Sequence, residues 1–215
     1  RIDSFFDIFT EVSLDGGGTW APAMAPLTCA LLPYVEQDNV FTCSHLPPRD
    51  GCFQSRTAAP PVLFSSTTRV RNVRLGNLSD SIRPPESCDD WASVDLSADA
   101  ELELTTDGGS SWTPHTCPAA VSVRIRASDL GGTTGTIGTT RTIGTFDTEM
   151  LSLSLSGGTL PATIRLRESP TLPSRGQCRL MEEEGIYHYF RIDSFFDVFT
   201  ELSVDGGTAW APGEE

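Results

Sequence analysis

Residues Arg191 to Pro212 read RIDSFFDVFTELSVDGGTAWAP, and the chain opens, from Arg1 to Pro22, on RIDSFFDIFTEVSLDGGGTWAP. The copies align without a gap. Apart from Gly18/Thr208 and Thr19/Ala209, every difference is a swap among Ile, Val and Leu. A near-duplicate at a fixed offset marks a repeat architecture, and it constrains the fold before composition does. The pattern occurs a third time: Val94 to Pro114 reads VDLSADAELELTTDGGSSWTP. The three Asp-Gly-Gly turns begin at Asp15, Asp107 and Asp205, so the long period divides into two related units.

Each unit has the length of an immunoglobulin-like sandwich of ~100 residues. The expected fold is therefore all-β: two tandem Ig-like or jelly-roll-like β-sandwich domains, preceded by an extra N-terminal β-hairpin that pairs with a neighbouring copy. Residues 1–23 read as the closing hairpin of a preceding repeat or a donor segment. Residues 24–115 form sandwich unit one, and 116–215 form unit two, ending in the repeated hairpin. Pro-rich joints follow the turns, at 21–26 and 113–118.

The hairpin alternates. Ser4, Phe6, Ile8, Thr10, Val12 and Leu14 share one mostly apolar face. Asp3, Phe5, Asp7, Phe9, Glu11 and Ser13 share the other, where the charges should meet water and Phe5 and Phe9 should cover a neighbouring surface. Asp-Gly-Gly then makes a turn that needs positive φ, and Trp20 returns on the second strand. An isolated hairpin exposing Phe5, Phe6, Phe9 and Trp20 is marginal in water, so it must pack onto something. Further strands are expected at 61–65, 68–76, 120–128, 150–156 and 162–169, several alternating Arg with Val, Ile or Leu. The Gly/Thr-rich stretch 131–145 reads as a loop or hairpin, and Glu182 to Glu184 as a solvated turn.

Ser13–Trp20, Thr105–Trp112 and Ser203–Trp210 each fit S/T-x-D-x-G-x-x-W. The pattern resembles the Asp-box, a β-hairpin motif of sialidases and many other secreted β proteins. The resemblance implies a structural turn at Asp15, Gly17, Asp107, Gly109, Trp112, Asp205, Gly207 and Trp210, with the Asp tying the turn through hydrogen bonds and the Trp packed beneath. It covers about eight residues per copy and carries over no sialidase activity. Propeller blades repeat at roughly 40–50 residues, about half the period found here. The longer phrase around 190–207 also resembles segments of uncharacterised secreted proteins of environmental bacteria, some bearing C-terminal surface-sorting signals, which implies an extracellular or cell-surface location.

A net charge of −14 argues against a nucleic-acid partner and against anionic membrane surfaces. No apolar run is long enough to insert in a membrane. All fifteen basic residues are Arg, which excludes Lys-based chemistry. The first residue is Arg1, as in a processed form or a segment of a longer protein. The six Cys contain no CxxC pair and read as disulfides of an oxidising compartment. Cys117–Cys178 is the natural bridge of unit two. Cys43–Cys52 would close a tight loop and Cys29–Cys88 a long one in unit one, as one of three connectivities, with a bridge between units left open.

No nucleophile or metalloprotease motif is present, so no catalytic residue and no enzyme activity is expected. Asp193, Asp197 and Glu201 stand ~13 Å apart along a strand, too far for a glycosidase pair or one metal. No cofactor is expected, apart from a calcium site at Glu36, Asp38 and Asn39 or at Asp147 and Glu149 as a minor alternative. Asn77-Leu78-Ser79 is a glycosylation sequon. The function expected is a structural subunit of an extracellular bacterial filament or surface layer, a homopolymer assembled head to tail through the repeated hairpin. The alternative is a carbohydrate-binding or adhesive module presenting Trp91, Tyr187 and Tyr189 to glycans.

Overall fold

A computed structural model describes residues 11–12, 21–22, 27–32, 34–36, 45–55, 60–80, 90–128, 144–183 and 189–213. Alternation of apolar and polar residues writes its secondary structure. In β8 (Ala92–Thr105), Ala92, Val94, Leu96, Ala98, Ala100, Leu102 and Leu104 are buried, and the alternate residues Ser93, Asp95, Ser97, Asp99 and Glu101 are exposed. The other strands are β1 (Glu11–Val12), β2 (Ala21–Pro22), β3 (Leu27–Leu31), β4 (Tyr34–Glu36), β5 (Phe53–Ser55), β6 (Val62–Leu63) and β7 (Arg69–Asp80). They continue as β9 (Thr113–Ala127), β10 (Gly144–Leu155), β11 (Arg165–Glu168), β12 (Ser174–Glu183), β13 (Tyr189–Val198), β14 (Thr200–Ser203) and β15 (Ala211–Pro212).

The expected stretches at 61–65, 68–76, 120–128, 150–156 and 162–169 all contain strands, β6, β7, β9, β10 and β11. Most of the Gly/Thr-rich stretch lies outside the described residues. The acidic run differs from its expected turn, because β12 runs on through Glu183.

Neighbouring strands follow the order β12-β13-β3-β5-β7-β8-β9-β10, and β10 pairs back onto β12 from Gly144↔Leu180 to Met150↔Ser174. The sheet thus closes on itself as a single eight-strand antiparallel barrel. β4 extends the line of β3 along β13, and β6, β11, β14 and β15 are added outside the ring. This overturns the two tandem sandwiches. One continuous core joins Val73, Leu75 and Val94 of the first half to Val123, Phe146 and Ile192 of the second. The boundary expected at 115/116 falls inside β9, which pairs with β8 from Ala92↔Ile125 to Leu104↔Thr113. Each repeat is half a barrel. Four half-buried strands in a row have the length and alternation of a small sandwich, but their inner faces are covered only by the other four.

The halves correspond strand by strand. β8 matches β13 and β14, which are interrupted at Phe199, and β7 matches β11 and β12, which are separated by residues 169–173. In β7 the same region carries two bulges, marked by Asn72 and Asn77 at φ 53° each. Bulges bend and twist a strand and help a sheet curl shut. At Gly176 in β12 a Cβ would stand 2.1 Å from the Phe195 carbonyl oxygen, so a side chain there would prise β12 from β13. Side chains fill the interior, leaving an apolar cavity of about 20 Å³ beside Phe53, Met150 and Phe196.

Candidate functional site

Both described copies of the repeated turn sit at the same end of the barrel and are built alike. In the first, the Thr105 hydroxyl donates to Asp107 Oδ1 at 2.6 Å and accepts from the amides of Asp107 and Gly109. Asp107 Oδ1 also accepts from the Ser111 amide at 3.0 Å, and Oδ2 from the Ser111 hydroxyl. In the second, Ser203 Oγ donates to Asp205 Oδ1 at 2.8 Å and accepts from Gly207 N at 2.8 Å, while Asp205 Oδ1 takes the amides of Thr208 and Ala209, each at 2.9 Å.

Gly108, Gly109, Gly206 and Gly207 all have positive φ, as the Asp-Gly-Gly sequence requires. Hydrogen bonds to the ionised form hold both Asp carboxyls below the ordinary range: chiefly from the Ser111 hydroxyl and then Thr105 at Asp107, and from the Ala209 amide and then Ser203 at Asp205.

Each turn docks in the same way onto the turn that leads into the neighbouring strand, β7 or β11. Gly108 N donates to the Thr67 carbonyl and Gly206 N to the Thr163 carbonyl, both at 2.9 Å. Arg71 lies 4.0 Å over the Trp112 ring and pairs with Glu103; Arg167 lies 4.0 Å over Trp210 and pairs with Glu201. The Trp is therefore roofed by an arginine, a contact the motif alone did not announce. The registers coincide: Arg71↔Glu103↔Pro114 in one, Arg167↔Glu201↔Pro212 in the other.

The third copy keeps that register. β1 and β2 pair as Glu11↔Pro22 and Val12↔Ala21, matching Glu201↔Pro212 and Leu202↔Ala211, and they form a two-stranded sheet of their own. Phe5, Phe6, Ile8, Phe9, Leu14, Asp15, Gly17 and Trp20 lie outside the described residues, as does the side chain of Val12. Their counterparts show the expected alternation: Ile192, Ser194, Phe196, Val198, Thr200 and Leu202 are buried, and Phe195 is 36% exposed.

The copy at 191–212 closes the barrel. β13 lies between β12 and β3, with Phe196 opposite Cys29 and the Thr28 hydroxyl donating to Asp197 Oδ1 at 2.6 Å. Beyond Pro212, Gly213 N donates to the Thr200 carbonyl at 2.8 Å. Two ladder positions further on, Leu27 stands opposite Val198. The end of β15 and the start of β3 are thus nearly continuous along β13 and β14, where the other half has the single strand β9.

The remaining candidates are dispersed. Cys117 and Cys178 are separate free thiols on β9 and β12, so the expected bridge between them is not made. Cys29 and Cys52 are also free, and Cys43 and Cys88 lie outside the described residues. Three of these thiols face the core, where the pairing of strands leaves them apart. Burial, with Asp197 adding, pushes the Cys29 thiol up to about 12, and burial pushes Cys178 to about 12.

Asp147 and Glu149 are ion-paired with Arg126 and Arg124. Among the described residues no group of three His, Cys, Asp or Glu is placed to hold a metal. Asp38 and Asn39 lie outside them, as does the side chain of Glu36. Asn77 is exposed, with its amide on Asp99 Oδ2 at 2.7 Å. The Trp91 ring is approached by Arg124 at 4.5 Å and Arg126 at 4.8 Å. Tyr187 and the side chain of Tyr189 lie outside the described residues.

Glu168 was missed by the sequence reading. It is 8% exposed and accepts from Ser174 Oγ at 3.2 Å. Burial pushes its carboxyl up to about 7, opposed by that hydrogen bond and reinforced by Glu149 and Glu201. Its place in ATIRLRES, two after Leu166 and four after Ile164, already assigned it to the inward face.

Comparison with protein-family models, curated proteins and solved structures returned no match.

Proposed function

We propose that the chain is a structural subunit of an extracellular bacterial filament or surface layer, joined head to tail through its duplicated closing segment. One observation carries the reading: the segment that completes the barrel, 191–212, occurs a second time at 1–22, beyond the eight strands of the ring. A duplicate of a closing element is the raw material of domain exchange, and an exchange that does not close on itself yields a fibre. The surface location rests on the acidic, Ser/Thr-rich composition and on the resemblance to secreted bacterial proteins; the free thiols at Cys117 and Cys178 lend it no support. A sugar platform at Trp91 is the weaker reading, because two guanidinium groups already lie over that ring.

Electron microscopy and sedimentation of the full chain, beside a chain lacking residues 1–22, test the proposal. The full chain is expected to form fibres or sheets, and the shortened one to stay a folded monomer. Equal assembly by both would count against it.

A further inference from the structure

The barrel has one place for its closing segment, and the chain carries two copies of that segment. In the ring, residues 191–198 lie between β12 and β3, and 200–203 run on between β11 and β15, with Ile192, Phe196, Val198 and Leu202 buried in the core. The first copy carries matching residues at those positions. Ile2, Ser4, Phe6 and Thr10 are identical to Ile192, Ser194, Phe196 and Thr200. Ile8 replaces Val198 and Val12 replaces Leu202, so one methylene is gained and one lost. Exchanges that conserve volume are the ones a packed core tolerates best.

The first copy is also correctly joined to β3. β8 turns through its Asp-Gly-Gly hairpin and runs back beside itself as β9. Along β13 and β14 the equivalent path is broken between Gly213 and Leu27, with only the positions opposite Thr200 and Phe199 separating Pro212 from Leu27. The first copy spans that break covalently: residues 23–26 connect Pro22 to Leu27. Four residues where the ladder needs two leave a surplus that a bulge absorbs. The register of β1 on β2 already matches that of β14 on β15.

We propose that residues 1–22 and 191–212 are interchangeable occupants of one slot between β12 and β3, so that 1–22 can hold a barrel closed while 191–212 passes into the barrel of a second copy. The choice of partner, another molecule of this chain, rests on the assembly proposed above. Because the two occupants make nearly the same contacts, exchange costs little, and tethering and concentration set which copy fills the slot.

Substitutions in the full-length chain test this. Phe196 is 3% exposed in the core, so a charge there disables the second copy, and Phe6→Asp disables the first. Phe196→Asp and Phe6→Asp singly are expected to melt within about 5 °C of the parent, while the double variant falls by more than about 10 °C or does not fold. The parent alone is expected to sediment as multimers, since transfer needs both copies. If Phe196→Asp alone loses as much as the double variant, the copies are not interchangeable and the proposal is overturned. If the melting pattern holds but the parent is a monomer at every concentration, the shared slot stands, and both the transfer and the assembly reading fall.

Discussion

Replacing Glu168 with Gln should stabilise this protein at neutral and alkaline pH. The Glu168 carboxyl is buried beside Ser174, within the field of Glu149 and Glu201 and with Arg167 as the opposing charge. Its pKa rises from 4.5 to about 7, with burial the largest cause. Below the unfolded value both states bind the proton, and the folded state is at no disadvantage. As pH climbs from about 4.5 to 7 the unfolded chain releases its proton while the folded one retains it. Stability from this group is therefore lost as pH rises through the folded value, then levels off. At 1.36 kcal/mol per unit, the loss is about 3 kcal/mol.

Gln keeps an acceptor for Ser174 Oγ and cannot ionise. Near pH 8 the variant should gain up to ~3 kcal/mol, roughly 6–12 °C in melting temperature for a chain of this size. Near pH 4 it should match the parent. Thermal melts of both proteins from pH 4 to 9, read as a difference, isolate this group from the other carboxylates. A difference that is flat with pH, or a variant less stable at pH 8, would refute the burial argument.

Three further outcomes follow from the geometry. Asp107→Asn and Asp205→Asn should each lower the melting temperature at pH 7 and narrow the gap to the parent in acid, because both carboxyls are held below their usual range by hydrogen bonds and their contribution is lost as pH falls through the folded values; parallel melts at pH 7 and pH 2 check this. Gly176→Ala should cost about 1–3 kcal/mol or more by urea unfolding, since its Cβ would meet the Phe195 carbonyl at 2.1 Å; a neutral result would show that β12 and β13 do not close tightly. Cys29, Cys117 and Cys178 should resist alkylation in the native state and react on unfolding, because burial disfavours their thiolates; peptide mapping that finds a Cys117–Cys178 bridge would contradict the free thiols.

Much of this molecule was legible as strands and turns, and little of it as a barrel. The alternation of Arg with Val, Ile or Leu placed β7, β9 and β11, and the Asp-Gly-Gly pattern placed both docked turns, with Asp107 and Asp205 as their acceptors. These signals are local. Closure is not: it rests on β13 meeting β3, as in the Thr28–Asp197 contact 169 residues apart in sequence. A half-buried strand reads the same whether its inner face meets a second sheet or the far wall of a barrel. The Cys117–Cys178 bridge is not made for a related reason, since an even count of Cys says nothing about which strands stand side by side. Glu168 is within reach of the sequence, because its inward position follows from the period of two.

The pairing of β13 with β3 is the contact on which the closed barrel depends, and NMR cross-strand contacts of Leu27–Ala30 measure it directly. The barrel predicts contacts from these residues to Phe53–Ser55 on one side and to Phe195–Val198 on the other, with Ile8 substituting for the Val198 methyls wherever the first copy holds the slot. Contacts to Phe53–Ser55 alone, with nothing from either copy of the closing segment, would mean an open sheet and would contradict the account.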